Sequence, residues 1–210
     1  PLMRRDLAEW TARYEGMVAV TLAAAHALEA AESDGDDGDA RALMRGLVPI
    51  AKYRTGRLAV NATYYAMEIR GGDGYVADYV TERLLRDAQV LPIWEGPSNV
   101  LALDLLRALE REGAADALLA RVDENLDAAS DDRLADLVDR VRGERDGLRE
   151  SMLAVAGADR ARAQHDAKAL ADYAYDVFAA SALLALADDR LAVGDAREAA
   201  VARLFVRDAF

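Results

Sequence analysis

The sequence predicts an all-α protein. Alanine and leucine dominate the 210 residues, only four prolines occur, and 53% of the residues are hydrophobic. This composition favours helices and suffices for a substantial core. Apolar residues also recur every three or four positions over long stretches, as they do along one face of a helix. We therefore expect helices packed as one domain, or as one domain with an appendage.

Four helices are predicted in the first half of the chain. They cover approximately residues 4–32, 40–69, 77–88 and 97–111. A loop rich in Asp and Gly, residues 33–39, separates the first two helices. Pro49 is expected to bend the second helix without ending it, because the apolar pattern continues on both sides. Residues 90–95 are predicted to be extended, since Pro92 opposes a helix.

Further helices are predicted beyond Gly113, which ends the fourth helix. They cover approximately residues 115–129, 131–155, 158–188 and 195–207. We recognise no apolar run long enough to cross a bilayer and no signal-peptide pattern. The sequence contains no cysteine, which excludes disulfides, thiolate nucleophiles and thiolate metal ligands. We expect a cytoplasmic protein.

The charge balance is unusual in both size and kind. The net charge is −12, and only Lys52 and Lys168 among the 26 basic residues are lysines. Two explanations stay open: a surface adapted to high salt, where screening tolerates self-repulsion, or a GC-rich genome that favours Arg, Ala, Asp and Gly codons. Either explanation disfavours general attraction to DNA or to anionic membranes.

Three short motifs lie within residues 67–99. They are MEIRGGDGY at 67–75, RDA at 86–88 and IWEGPSN at 93–99. A Gly-Gly-x-Gly turn alone is more often a tight connection, although it lets a ligand approach the backbone closely. A glutamate before a helix is more often a simple cap. At a turn beside a glycine, however, the Glu95 carboxylate is sterically open and could face a ligand.

Together, these motifs resemble the C-terminal helical domain of the acyl-CoA dehydrogenases in order and spacing. The resemblance is strong over residues 42–109. It implies an up-down helix bundle over residues 1–112, and the helices of 113–210 resemble the extension that packs on the bundle in the AidB-like branch. The family's preceding helical and β-domains are not in this chain. Because the chain begins at Pro1 rather than Met, we expect a fragment or a processed product.

The resemblance implies a catalytic role for Glu95. The matching glutamate in the family removes the α-proton of an acyl-CoA thioester while the β-hydride passes to FAD. Its backbone N–H also helps to polarise the thioester carbonyl. Trp94 matches an aromatic residue of the acyl pocket, although packing of the turn explains a tryptophan here equally well. Gly96 belongs to the same substrate-facing turn.

The resemblance also implies an FAD site shared with the missing domains and with a neighbouring subunit. The predicted contacts are Glu68, Gly71, Gly72, Pro97 and Asn99. Glu68 stands where the family has a glutamine, and an added carboxylate near a pyrophosphate is unfavourable unless Arg70 offsets it. Pro97 replaces a threonine and supplies neither a hydroxyl nor an N–H, although Ser98 could partly replace the hydroxyl.

The sequence therefore predicts part of an oxidoreductase that dehydrogenates acyl-CoA with FAD. A homo-oligomer, dimer or tetramer, and a separate electron acceptor are expected as partners. One alternative is an AidB-like DNA-associated protein, although acidic neighbours dilute the candidate arginines at 160, 162, 197, 203 and 207. Another is a structural oligomerisation domain that is inactive alone. No metal is predicted, because residues 34–39 resemble a calcium loop whose twelfth position is Arg45 rather than Glu.

Overall fold

The computed structural model describes residues 1–33 and 38–210, and within those ranges it contains helices and no strand. The α-helices are α1 (Leu2–Glu32), α2 (Gly38–Ile69), α3 (Gly72–Tyr75), α4 (Thr81–Val90), α5 (Ser98–Arg111), α6 (Ala114–Ala128), α7 (Ala135–Ala156), α8 (Arg160–Ala192) and α9 (Arg197–Ala209). A 3₁₀ turn, Asp132–Leu134, precedes α7. The all-α prediction is confirmed.

Two local predictions near the motifs are wrong. Residues 90–95 are not extended, because the N–H groups of Ile93 and Trp94 both donate to the Val90 carbonyl, at 2.9 and 3.1 Å. Leu91 adopts helical angles despite preceding Pro92, which normally disfavours them. The Lys52 ammonium donates to the Leu91 carbonyl at 2.6 Å and so stabilises this turn. The predicted helix at 77–88 begins later, at Thr81.

Other predicted boundaries are close to the observed ones. Helix α2 continues through Pro49, as the uninterrupted apolar pattern predicted. Ser33 follows α1 as its C-cap, as predicted, whereas Gly38 and Asp39, which were predicted in the loop, already belong to α2. Residues 34–37 of that loop lie outside the described part of the chain.

Helix α8 lies at the centre of the protein. It contacts α1, α2, α5, α6, α7 and α9, and its side chains from Ala163 to Leu191 supply much of the core. By length and composition α8 could cross a membrane, a candidate that the sequence analysis overlooked. Its most apolar window, however, is 61% buried inside the protein, as expected for a core helix.

One continuous hydrophobic core includes residues on both sides of Gly113. Val20 and Leu105 belong to it, and so do Phe178 and Val206. Gly113 has φ +72° in the turn between α5 and α6, a conformation that glycine adopts without steric cost. The division into domains 1–112 and 113–210 stays a prediction.

Charged side chains fix the position of α2 against its neighbours. Arg45 bonds to Asp104 of α5 and to Glu112, at 2.9 and 2.7 Å. Arg54 forms ion pairs with Asp172 and Asp176 of α8, at 3.1 and 3.2 Å. These contacts fix α2 against α5 and α8, and α2 also carries Lys52, which meets the site described next.

Candidate functional site

Glu95 lies in the turn between α4 and α5 with a left-handed backbone. Its φ is +51°, the only positive value of a non-glycine residue in the described part of the chain, and Gly96 follows with φ +109°. Such a conformation costs about 1–3 kcal/mol and persists only where the surroundings hold it. The Glu95 side chain is exposed, and no described residue forms a hydrogen bond or an ion pair with its carboxylate.

Lys52 of α2 holds this turn from inside. Its ammonium donates to the carbonyl oxygens of Leu91, Trp94 and Gly96, at 2.6, 2.8 and 3.3 Å. Three diverging acceptors match the three donors of an ammonium better than they match a planar guanidinium. The sequence analysis missed this role, although a lysine in so arginine-rich a chain was a usable signal.

Gly56 of α2 faces the backbone of the turn, at a distance where even a Cβ would make only ordinary van der Waals contact. A Cβ at Gly56 would lie 3.4 Å from the Leu91 carbonyl carbon and 3.5 Å from the Pro92 nitrogen. The backbone of the turn therefore rests directly on α2, one helical turn from Lys52. Lys52 and Gly56 thus lie one helical turn apart on α2, and both face the backbone of this turn.

Apolar side chains flank Glu95 on the surface. Trp94 is 52% exposed and Ile93 is 67% exposed. Exposed large apolar groups beside an unpaired carboxylate form a surface on which an apolar ligand can dock. The predicted role of Trp94 in an acyl pocket stays a prediction.

The three glycines before α4 differ in their surroundings. Gly74 is buried, and a Cβ there would overlap the Met67 carbonyl, so this glycine is required by packing. Gly71 and Gly72 are exposed, and a Cβ at either position would meet nothing within 4 Å. Gly71 has φ +59°. These two residues present bare backbone at the surface, where a ligand can approach closely.

The predicted compensation of Glu68 by Arg70 is not observed. The Arg70 guanidinium lies 5.5 Å from the centre of the Tyr79 ring, and no described residue forms an ion pair with Glu68. The exposed Glu68 carboxylate near Gly71 and Gly72 is therefore uncompensated within this chain. It fits a pyrophosphate less well than glutamine would.

Helix α5 begins directly after the Glu95 turn. Pro97 is its N-cap and accepts from the N–H groups of Val100 and Leu101, at 2.8 and 3.2 Å. No side chain caps this terminus. Ser98 and Asn99 occupy its first turn, and Asn99 is exposed.

The predicted site residues fall into two groups. Trp94, Glu95, Gly96, Pro97 and Asn99 follow α4, whereas Glu68, Gly71 and Gly72 precede it. The turn after α4 contacts Lys52 of α2, whereas Glu68 lies 16 residues further along the same helix, about 24 Å away along its axis. The two groups therefore do not form a single cluster within this chain.

Most arginines of the candidate DNA-binding clusters are neutralised by carboxylates. Arg162 pairs with Asp166 at 2.6 Å, and Arg203 pairs with Asp136 at 2.8 Å. Arg197 pairs with Glu15 and Glu198, and Arg207 pairs with Glu9 and Asp208. Such pairing leaves little positive surface for phosphates. Across residues 1–33 and 38–210, no group of three or more His, Asp or Glu could hold a metal ion.

Comparison with known proteins identifies the family. The family described as acyl-CoA dehydrogenase, C-terminal domain, matches residues 1–110. "Acyl-CoA dehydrogenase family member 11" of Caenorhabditis elegans is 35% identical over 159 residues, which are 75% of this chain and 24% of that protein. AidB of Escherichia coli is 32% identical over 120 residues, 57% of this chain and 21% of that protein.

A solved structure extends the likeness beyond the family match. The crystal structure of Caenorhabditis elegans ACDH-11 in complex with C11-CoA has a TM-score of 0.89 at 26% identity. The match covers 99% of this chain and 35% of that one. The extension after α5 therefore has a counterpart in a protein that was crystallised with an acyl-CoA.

The fold and the family match define this chain as an acyl-CoA dehydrogenase C-terminal domain. This chain belongs to the acyl-CoA dehydrogenase family. A further relative, from Ruegeria pomeroyi, is named 3-methylmercaptopropionyl-CoA dehydrogenase. AidB is one of several relatives, and proteins outside its branch match as well. The chain spans about a quarter of the length of the first curated relatives that it matches.

Proposed function

We propose that this chain is the C-terminal domain of an FAD-dependent acyl-CoA dehydrogenase in which Glu95 is the catalytic base. The observation that carries the proposal is the Glu95 turn. An unpaired carboxylate on a left-handed backbone lies beside Trp94 and Ile93, which are exposed and apolar. A base must reach its proton unobstructed, and no described residue competes for this carboxylate.

The chemistry requires two actions of Glu95. One carboxylate oxygen accepts the α-proton of the thioester, and the backbone N–H donates to the thioester carbonyl oxygen, where negative charge develops. Both groups belong to one residue, so the conformation of the turn sets the geometry of both. Bound FAD would supply the acceptor of the β-hydride. The acyl chain would lie along the apolar surface next to Trp94.

The residues before α4 fit FAD only in part. Gly71 and Gly72 offer the open backbone that a nucleotide could approach, in keeping with a role toward the ADP portion of FAD. Glu68 and Pro97 fit less well, because the first adds an uncompensated negative charge and the second lacks a donor. The distance between the two groups of residues supports a cofactor site that is completed by a neighbouring subunit.

Assembly with other domains or subunits is part of the proposal. Several large apolar side chains of α1 are exposed, including Leu2, Leu7, Tyr14 and Leu22. Exposed apolar side chains that recur along one helix are typical of surfaces that a partner covers. We propose a homo-oligomer that passes electrons to a separate acceptor protein.

The proposal is tested by Glu95→Gln in the flavin-loaded enzyme that contains this chain. Glutamine retains the shape and the backbone N–H but cannot accept the α-proton. We expect flavin reduction by a saturated acyl-CoA to fall by at least a hundredfold, within the range of general acid–base contributions, about 10²–10⁴. Stopped-flow absorbance of the flavin measures this rate.

The matched control is Glu150→Gln, an exposed and unpaired glutamate of α7. In this variant, the acyl-CoA should reduce the flavin at the same rate as in the unaltered enzyme. Unchanged reduction in Glu95→Gln would exclude Glu95 as the base. If no acyl-CoA reduces the flavin of the unaltered enzyme, the proposed activity itself is wrong.

A further inference from the structure

The three carbonyls that Lys52 binds belong to three unusual peptide groups. The Leu91 and Gly96 carbonyls precede Pro92 and Pro97, whose nitrogens carry no hydrogen. The Trp94 carbonyl precedes Glu95. Of the three peptide groups held by the ammonium, therefore, only the one between Trp94 and Glu95 has an N–H.

The direction of that N–H follows from the Lys52 contact. No described peptide bond is cis, and in a planar trans peptide the N–H points opposite to the C=O. The Trp94 carbonyl points toward the ammonium at 2.8 Å, so the Glu95 N–H points away from α2. No described residue accepts a hydrogen bond from this N–H. Glu95 thus directs an unused donor outward from the turn.

We propose that Lys52 is a positioning residue that orients and strengthens the Glu95 N–H as a donor to the thioester carbonyl. The inference rests on the proposed function, because it assigns a role within the same reaction. Lys52 touches neither substrate nor cofactor in this scheme. It acts through the Trp94–Glu95 peptide group.

Two physical effects make an ammonium suited to this role. A hydrogen bond from a charged donor to a carbonyl is shorter and about twice as strong as one from a neutral donor. The Lys52 ammonium therefore holds the Trp94–Glu95 peptide plane firmly. Polarisation of the Trp94 carbonyl also makes the N–H of the same peptide group a better donor, an effect of perhaps 10–30% per hydrogen bond. The contacts to Leu91 and Gly96 fix both sides of the turn and so oppose relaxation of the left-handed Glu95 backbone.

The test compares Lys52→Met, Lys52→Arg and Lys168→Met in the flavin-loaded enzyme containing this chain. Methionine keeps the length of the side chain and removes its charge and its donors. Lys52→Arg keeps the charge but spreads its donors in a plane. Lys168 is the second lysine of the chain, exposed on α8 and without an ion pair to any described residue, so Lys168→Met is the matched control.

The probe is 3,3-dimethylbutyryl-CoA, which has α-protons but no β-hydrogen and so cannot be dehydrogenated. Its α-proton exchange with D2O reports proton removal without hydride transfer. The infrared stretch of its ¹³C-labelled thioester carbonyl reports polarisation by the N–H. Loss of an oxyanion donor costs about 10²–10³ in rate, so disorientation of one should slow exchange by about 10- to 100-fold in Lys52→Met.

In Lys52→Met we also expect the carbonyl stretch to move toward its value in free solution while the Kd of the probe changes little. Lys52→Arg should regain part of both losses, and Lys168→Met should match the unaltered enzyme. If exchange and carbonyl stretch in Lys52→Met equal those of Lys168→Met, Lys52 has no positioning role. If the unaltered enzyme itself exchanges no α-proton, the proposed function fails and this inference fails with it.

Discussion

Gly74 packs so closely on Met67 that an added Cβ would overlap the Met67 carbonyl. Gly74→Ala must therefore move α3 away from the end of α2. We expect the free energy of unfolding to fall by about 1–3 kcal/mol, the usual cost of overpacking. Urea denaturation of this chain, followed by circular dichroism, measures the loss.

Gly72→Ala is the matched control for that prediction. A Cβ at Gly72 would meet nothing within 4 Å. The free energy of unfolding should therefore change by no more than about 0.5 kcal/mol. In the flavin-loaded enzyme, however, the same methyl group should weaken FAD binding if the nucleotide lies on this backbone. Equal loss of stability in both variants would contradict the distinction between the two glycines.

Single residues differ in how far the sequence predicts them. Glu95, Gly71 and Gly72 could be selected in advance because their motifs are contiguous. Lys52 could not be assigned, because its three acceptors lie 39 to 44 residues further along the chain. A long-range contact between a side chain and backbone carbonyls leaves no local pattern, so only the fold reveals it.

Helices follow the sequence where apolar periodicity and breakers agree. The predicted C-terminal ends of α1, α2 and α5 coincide with the observed ends at Glu32, Ile69 and Arg111, because a glycine follows each helix within three residues. The predicted starts lie within two residues of the observed ones. Residues 91–95 do not follow the prediction. The preference for an extended backbone before Pro92 is weaker than the hydrogen bonds that Lys52 supplies. Tertiary contacts therefore determine the backbone conformation of the segment that carries the candidate base.

The contact between α2 and α8 predicts a pH dependence. Burial raises the pKa of Asp176 from 3.8 to about 6, although Arg54 at 3.2 Å opposes the shift. Asp172 raises this pKa further, and Arg13 lowers it. Between pH 4 and 6, approximately, folded Asp176 keeps a proton that the unfolded chain has lost. Its contribution to stability is therefore greatest at acid pH and is lost as the pH rises through about 6.

Asp176→Asn should remove this dependence, because the amide does not titrate. The free energy of unfolding of the unaltered chain, relative to that of the variant, should fall by about 1 kcal/mol between about pH 5 and 7.5. Urea titrations at the two pH values measure the difference. Asp189→Asn, an exposed change on the same helix, is the control. A difference that stays constant or rises with pH would contradict the raised pKa.

The whole molecule carries a net charge of −12 that its ion pairs do not cancel. Many arginines form ion pairs on the surface, such as Arg203 with Asp136 and Arg142 with Asp127. Exposed pairs of this kind contribute about 0–1 kcal/mol each, whereas self-repulsion of the excess acid acts over the whole surface. Added salt weakens both, but repulsion between distant charges is screened first because it acts beyond the Debye length.

We therefore expect the Tm of this chain to rise by a few degrees between about 10 mM and 150 mM NaCl, over which the Debye length falls from about 30 to 8 Å. Differential scanning calorimetry measures the shift. The double variant Glu150→Gln/Asp189→Asn removes two exposed, unpaired charges and should reduce the salt increment. A Tm that falls with salt would mean that the ion pairs outweigh the repulsion. A chain that folds only in molar salt would favour high-salt adaptation, whereas stable folding at 10 mM would favour a codon bias as the origin of this composition.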